Sequence, residues 1–219
     1  MNSIDFKSTV KVLKTNCHYR FSDLFFKKGI RWEQDRATIL NSSQFEGTIL
    51  RSYLEQMKCE QDFDTLSNII KHYPLTQTPS DSELVIHLRC GDVFSRQDTT
   101  CRVLHDEQLL RATKCFESHS PVHSDDITQV TIVTAMHFGA NTINNRYFYD
   151  DETYIKNIEF FNAFQRHLNL TGKSLNVVSN TNPDTDICYM AHAKHFIKSP
   201  SSLSEIITTV APVDQTVYF

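Results

Sequence analysis

Glycine is scarce in this chain of 219 residues, which contains five glycines and six prolines. Neither GxGxxG nor the P-loop pattern GxxxxGKS or GxxxxGKT occurs, which excludes the two common glycine-rich phosphate loops. A run of about 20 apolar residues that could cross a bilayer is missing, and so is the apolar core of a secretory signal. We therefore expect a cytoplasmic protein without a transmembrane segment.

Blocks of one charge are missing too. The chain has 22 Lys and Arg against 26 Asp and Glu, and its formal net charge is -4. Proteins that bind nucleic acid or anionic membranes usually carry a basic patch, so we expect no nucleic-acid partner. The six cysteines are scattered without paired spacing, which favours reduced thiols.

The chain changes character at PLTQTPSDS (74–82), which is typical of a linker or long loop. Ahead of it, apolar residues recur at spacings of three and four and predict amphipathic helices. The first of these helices is expected to begin at Ser42 or Ser43, with Glu46 as a capping partner. We divide the chain into a mainly helical part, 1–78, as a candidate acceptor side, and a Rossmann-like nucleotide-sugar-binding domain, 79–219.

Beyond the linker, short β-rich runs alternate with helical stretches. Strands are expected at 84–88, 129–135, 174–179 and 195–199, and helices at 106–117, 154–168, 186–193 and 202–210. This alternation predicts an α/β fold with a parallel sheet that helices cover on both faces. Ligands of such sheets bind beyond the carboxyl ends of the strands. One rim is therefore expected to carry 89–92, 136–139, 180–186 and 199–202.

Two segments of this rim suit a phosphate. Gly91 allows a sharp turn after the first strand, so the guanidinium of Arg89 is expected at the crevice mouth. His87 shares a strand face with Arg89, and Asp92 can hold the arginine or cap the loop. A surface ion pair and a satisfied core histidine are the alternative interpretation.

The second segment is SPSS (199–202), which precedes a helix. Ser201 or Ser202 suits the N-cap position, with Glu205 in a capping box, and free N–H groups at a helix start bind anions. Capping alone would also explain these serines.

VIHLRCGDV resembles the HxRRGD signature of the α1,2-, α1,6- and protein O-fucosyltransferase superfamily, and MAHAKHFIKSPSSLSEIITTVA resembles its later motif of strand, Ser-Ser pair and helix. The resemblance implies a GT-B glycosyltransferase that holds a GDP-sugar in its Rossmann-like domain without a metal. Fucose, or another deoxysugar or a pentose on GDP or UDP, would pass with inversion to a glycan or glycoprotein acceptor.

The resemblance also implies roles for residues of this chain. Arg89 would contact the diphosphate and stabilise the leaving group, with His87 and Asp92 in support. Ser201 and Ser202 would contact phosphate or ribose, and Asp184 or Asp186 would contact base or ribose.

The loop after the central strand adds His137 to the predicted donor site, where its aromatic neighbours could stack on a base or sugar. Loop packing is the alternative. Candidates for the general base are Asp92, His137, Glu33 and Glu46.

Two features depart from the family pattern. Cys90 stands where the family has a second arginine, a charge that Lys198 or Arg96 could replace. The chain is also short for a GT-B enzyme, so either the acceptor domain is reduced or the chain is a fragment.

Alternative interpretations of the function stay open at this point. A non-catalytic nucleotide- or carbohydrate-binding module could have kept the fold. A zinc site would use Cys188, His192 and His195 but lacks a fourth ligand, and a phosphatase based on Cys90 lacks a phosphate loop. DTD (184–186) is the one acidic pair that could hold a metal in the manner of GT-A enzymes, and we expect no metal.

Overall fold

A computed structural model describes residues 11–12, 21–26, 32–91, 125–135, 137–138, 151–168, 170, 172–179, 182–212 and 214–218. Its strands are β1 (Lys11–Val12), β2 (Glu83–Arg89), β3 (Gln129–Ala135), β4 (His137–Phe138), β5 (Ser174–Ser179), β6 (His195–Ile197) and β7 (Thr216–Tyr218). Its helices are α1 (Phe21–Phe25), α2 (Trp32–Asn41), α3 (Ile49–Gln56), α4 (Phe63–His72), α5 (Asp151–Leu168), α6 (Pro183–Ala191) and α7 (Ser202–Val210).

Five of the strands form one parallel sheet in the order β5-β3-β2-β6-β7, and β1 pairs separately with β4. From β2 the chain moves outward through β3 to β5, then returns to the other side of β2 to form β6 and β7. This reversal places β6 directly beside β2, with Ile86 level with Ile197. Reversals of this kind open a crevice at the carboxyl ends of the strands. The predicted α/β fold class with a Rossmann-like parallel sheet is confirmed.

Helices cover both faces of the sheet. On one face, Val85 and Phe196 pack in a cluster with residues of α6, α7 and the N-terminal helices. On the other face, Ile86 and Leu88 pack against three phenylalanines of α5, Phe160, Phe161 and Phe164. The near-continuous apolar run of β2 follows from this burial on both sides.

The N-terminal helices share their core with the sheet. Tyr53 of α3 and Leu66 of α4 are buried in the same cluster as Phe196 of β6. The hydroxyl of Ser67 on α4 also donates a hydrogen bond to the carbonyl of Val210 at the end of α7, at 3.1 Å. The helices at 32–72 are thus packed onto the sheet domain.

Element boundaries follow the sequence prediction where local signals are strong. β3, β5 and α7 span the predicted residues. The helix predicted at 186–193 is α6, which begins earlier, at Pro183, because the side chain of Asn182 accepts a hydrogen bond from the N–H of Asp184, the second helical residue, at 3.0 Å. The prediction that Ser42 or Ser43 begins the first of the amphipathic helices, which is α3, is wrong. Ser42 caps only a short 3-10 helix, and Thr48 caps α3.

Some elements escaped the sequence prediction. The sequence analysis did not predict the short strand β7, the β1–β4 pair or helices α1 and α2. The helix predicted at 106–117 lies outside the described residues. Among the described helices, none combines the length and the apolarity that crossing a membrane requires.

A shared core predicts one unfolding transition. Leu66→Ala should lower the free energy of unfolding by about 2–5 kcal/mol, because it leaves a cavity between the helical layer and the sheet. Circular dichroism and tryptophan fluorescence during urea unfolding should report the same midpoint. Ile155→Ala is the control, since this side chain is 53% exposed and its loss should change stability little. Separate transitions for helices and sheet would contradict the shared core.

Candidate functional site

β2 and β6 bring the two predicted phosphate-compatible segments together on the rim, the sheet edge at the carboxyl ends of the strands. Arg89 is the last residue of β2, and residues 198–201 connect β6 to α7. The Nδ1 atom of His87 lies 2.6 Å from Oγ of Ser204 and 3.0 Å from Oγ of Ser199. Side chains on β2 thus contact the start of α7 directly.

The backbone on the far side of Arg89 is fixed by Asn157, a fully buried residue of α5. Its amide oxygen accepts a hydrogen bond from the N–H of Gly91 at 2.5 Å, and its amide nitrogen donates to the Gly91 carbonyl at 3.0 Å. Gly91 has φ +87°, in the left-handed region that glycine adopts without a Cβ penalty. Since His87 is held by α7 and Gly91 by α5, both helix layers position the strand end that carries Arg89.

Electrostatics keep His87 neutral. Burial disfavours the imidazolium, and the positive charge of Arg89 adds to this, so the pKa of His87 falls to about 4. At neutral pH the ring therefore carries one proton and no charge. Arg89 supplies the positive charge on this strand end.

The start of α7 is built as a capped helix. Ser201 is the N-cap, and its Oγ accepts a hydrogen bond from the N–H of Ser204 at 3.2 Å. The helix dipole and the first N–H groups of α7 give this end a partial positive charge beside the end of β2. The capping role predicted for Ser201 or Ser202 is therefore confirmed for Ser201.

The predicted capping box with Glu205 is wrong. Glu205 instead accepts two hydrogen bonds from the Nζ atom of Lys198, at 2.9 and 3.1 Å. Lys198 is 8% exposed and follows β6 directly, so its ammonium is buried and needs a carboxylate partner more than the helix start does.

Asp184 and Asp186 lie in the first turn of α6, not in the loop before it. One carboxylate oxygen of Asp184 accepts a hydrogen bond from the N–H of Ile49 at 3.0 Å, at the start of α3. Burial raises the pKa of Asp184, and this hydrogen bond opposes the rise. The contact attaches the N-terminal helices to the sheet domain.

Other predicted site residues are only partly described. Asp92 and Arg96 lie outside the described residues, and of His137 only the backbone is described, in β4. Glu33 and Glu46 are exposed on the N-terminal helical part. The choice of a general base stays a prediction.

The cysteine-based alternatives meet physical obstacles. Burial raises the pKa of both the Cys90 and Cys188 thiols to about 12, so neither is a thiolate nucleophile at neutral pH. Nδ1 of His192 contacts the Cys188 carbonyl and Nδ1 of His195 contacts the Tyr218 hydroxyl. Within the described ranges no three His, Cys, Asp or Glu side chains gather as metal ligands would.

Sequence reasoning missed two residues that shape the site, Asn157 and Ser204, and it placed Ser199 on the rim without giving it a contact. Asn157 stands three and four residues before Phe160 and Phe161, on the apolar stripe of α5. A polar residue on such a stripe usually has a buried hydrogen-bond partner, and this signal could have identified it.

Comparisons of the chain with protein-family models, curated proteins and solved structures found no match. Inferences about function therefore depend on the geometry of the rim and on the motif resemblance.

The lowered pKa of His87 predicts an acid-sensitive contribution to stability. Between pH 6.5 and 4 the unfolded chain binds a proton at this ring that the folded protein does not. The contribution of His87 to the free energy of unfolding is therefore fully present above this window and is lost as the pH decreases through it. His87→Asn removes the titration. The stability advantage of the wild type over this variant should shrink by roughly 2 kcal/mol between pH 7 and 5, measured by urea unfolding. A pH-independent difference would contradict a pKa near 4.

Proposed function

We propose that the chain is a glycosyltransferase that binds the diphosphate of a nucleotide sugar between the ends of β2 and β6. One observation carries the proposal: the strand that ends in Arg89 and the capped start of α7 are in direct contact through His87. This is also the place where the strand order reverses, at which α/β sheets bind nucleotides.

The arrangement suits departure of a nucleoside diphosphate. As the bond between sugar and diphosphate breaks, negative charge grows on the leaving oxygen, and a fixed guanidinium with a helix start can stabilise it. Attack by an acceptor hydroxyl from the opposite side would invert the anomeric centre, and it needs alignment more than further groups. Arg89 and Ser201 are the residues assigned to the diphosphate, with Ser202 beside them.

The donor is proposed by resemblance. GDP-fucose is the first candidate, and another deoxysugar or a pentose on GDP or UDP is the next. The acceptor would be a glycan or a glycoprotein. A cytoplasmic location belongs to the proposal and is supported by the free thiols of Cys59, Cys90 and Cys188.

Among the described residues of the rim, the second arginine of the family motif has no simple replacement, and Arg96 lies outside them. Cys90 is 5% exposed and packs in the cluster that faces α5, and Lys198 is engaged by Glu205. This reduced positive charge favours the second candidate function, a nucleotide- or carbohydrate-binding module without catalysis. Slow hydrolysis of a nucleotide sugar distinguishes the two, because a transferase leaks sugar to water and a binding module leaves the donor intact.

Arg89→Ala should reduce transfer and donor hydrolysis by about 100-fold or more, because it removes the positive charge at the leaving group. Arg89→Lys should lie between the wild type and the alanine variant, since it keeps the charge but loses the guanidinium fork. Arg51→Ala on α3 is the matched control and should remain active. The assay measures release of GDP or UDP, and thermal unfolding checks the fold. Turnover near the wild-type level in Arg89→Ala would refute the assignment.

EDTA should leave the transfer rate unchanged. The proposed stabilisation of the leaving group needs Arg89 and the start of α7, and one oxygen of Asp184 in the DTD segment already binds the backbone of α3. The rate is measured after chelation and again after addition of Mn²⁺ or Mg²⁺. A strict requirement for manganese would favour a metal site at the acidic pair instead.

A further inference from the structure

Four side chains form a connected hydrogen-bond chain between β2 and the start of α7. We call it the serine relay, and it consists of His87, Ser204, Ser199 and Ser201. Ser204 is fully buried and Ser199 is 3% exposed, whereas Ser201 is only half-buried at the rim. His87, at the β2 end, is half-buried as well. The relay therefore joins β2 to the rim through two buried serines.

The hydroxyl of Ser201 receives two hydrogen bonds from inside the protein. The Ser199 hydroxyl donates to its Oγ at 3.2 Å, and the backbone N–H of Ser204 donates to the same atom at 3.2 Å. A serine oxygen has two lone pairs, and both are occupied here. The hydrogen of the Ser201 hydroxyl is then its one remaining hydrogen-bonding group.

The same count of donors and acceptors gives the orientation of the two buried hydroxyls, those of Ser199 and Ser204. Since the Ser199 hydroxyl donates to Ser201, its oxygen can only accept from His87, 3.0 Å away. The consistent tautomer has the proton on Nδ1 of His87, which donates towards Ser204 and Ser199. Ser204 also accepts from the N–H of Ser199 at 3.2 Å, so its own hydrogen points to Ser199 Oγ, at 3.3 Å. Every donor in the chain thus points towards the crevice.

We propose that the serine relay is a positioning device that holds the hydroxyl hydrogen of Ser201 towards the crevice, so that this position donates to an anionic oxygen. The inference rests on the proposed function, because the anion it implies is the diphosphate. His87 then acts through the serines as a positioning residue. A cation is rejected at Ser201, since no lone pair is left to coordinate it.

The relay explains why a half-buried neutral histidine stands two residues before Arg89. A hydroxyl is free to rotate, and a serine at a helix start could equally turn its hydrogen inward. A donor fixed at the β2 end of the relay removes that choice, and aligned hydrogen bonds polarise one another. Ser201 then meets the ligand already oriented, which reduces the entropic cost of binding.

A double-mutant cycle between His87 and Ser201 tests the relay, with GDP and inorganic pyrophosphate as the probes in calorimetric titrations. Ser201→Ala should weaken binding about tenfold, the effect of one hydrogen bond to a charged group. His87→Leu should weaken it to a similar extent, because it removes the donor at the β2 end of the relay. In the Ser201→Ala background, His87→Leu should have no further effect. His87→Asn should recover affinity to within about threefold, since its amide nitrogen can donate from the Nδ1 position.

The outcomes separate this inference from the proposed function. Absence of binding by the wild type, or binding that Arg89→Ala leaves unchanged, would overturn both. Binding that depends on Arg89 but shows additive effects of His87→Leu and Ser201→Ala would overturn the relay alone. If His87→Leu does not fold, Ser199→Ala replaces it in the same cycle, with the same expected non-additivity. Thermal unfolding of each variant shows whether it is folded.

Discussion

The pairing of β2 with β6 is the contact on which the arrangement of the rim depends. His87 and Ser199 are 112 residues apart in the sequence, and parallel pairing of these strands brings them within hydrogen-bond distance. β6 has only three residues, so its few backbone hydrogen bonds gain support from the side-chain contacts with His87. Because backbone pairing sets the position of Arg89 relative to the start of α7, that position does not depend on flexible side chains.

Buried polar groups fix β2 at both ends. Near the rim, Asn157 binds both backbone groups of Gly91. At the other end, Glu83 is 2% exposed and accepts hydrogen bonds from the hydroxyls of Tyr189, at 2.5 Å, and Thr131. A misplaced polar group in such a low-dielectric interior would be costly, so these contacts specify one register for the strand. The strand can then present Arg89, which is half-buried, at its carboxyl end.

The described residues of the rim combine few charged side chains with oriented dipoles. Arg89 is positive, His87 is kept neutral by burial, and Lys198 is neutralised by Glu205. Oriented dipoles from the start of α7, and in our proposal from the serine relay, supplement the guanidinium of Arg89. Dipoles that are fixed before a ligand arrives need no reorganisation, which supports the proposal that this rim binds an anion. Few charged side chains among the described residues of the rim are also compatible with a module that binds a nucleotide or carbohydrate without catalysis.

The sequence by itself determined the local elements and the candidate residues on them. β3, β5 and α7 follow from apolar runs and capping signals, because strand period and helix caps depend on neighbours only a few residues away. It also indicated Arg89 and Ser201 as members of one rim. The tertiary structure alone decided the order of the strands, the partner of Asp184 and the two hydrogen bonds that Asn157 makes with the backbone of Gly91. These depend on contacts between distant residues, and a buried side chain takes whichever partner packing brings within reach.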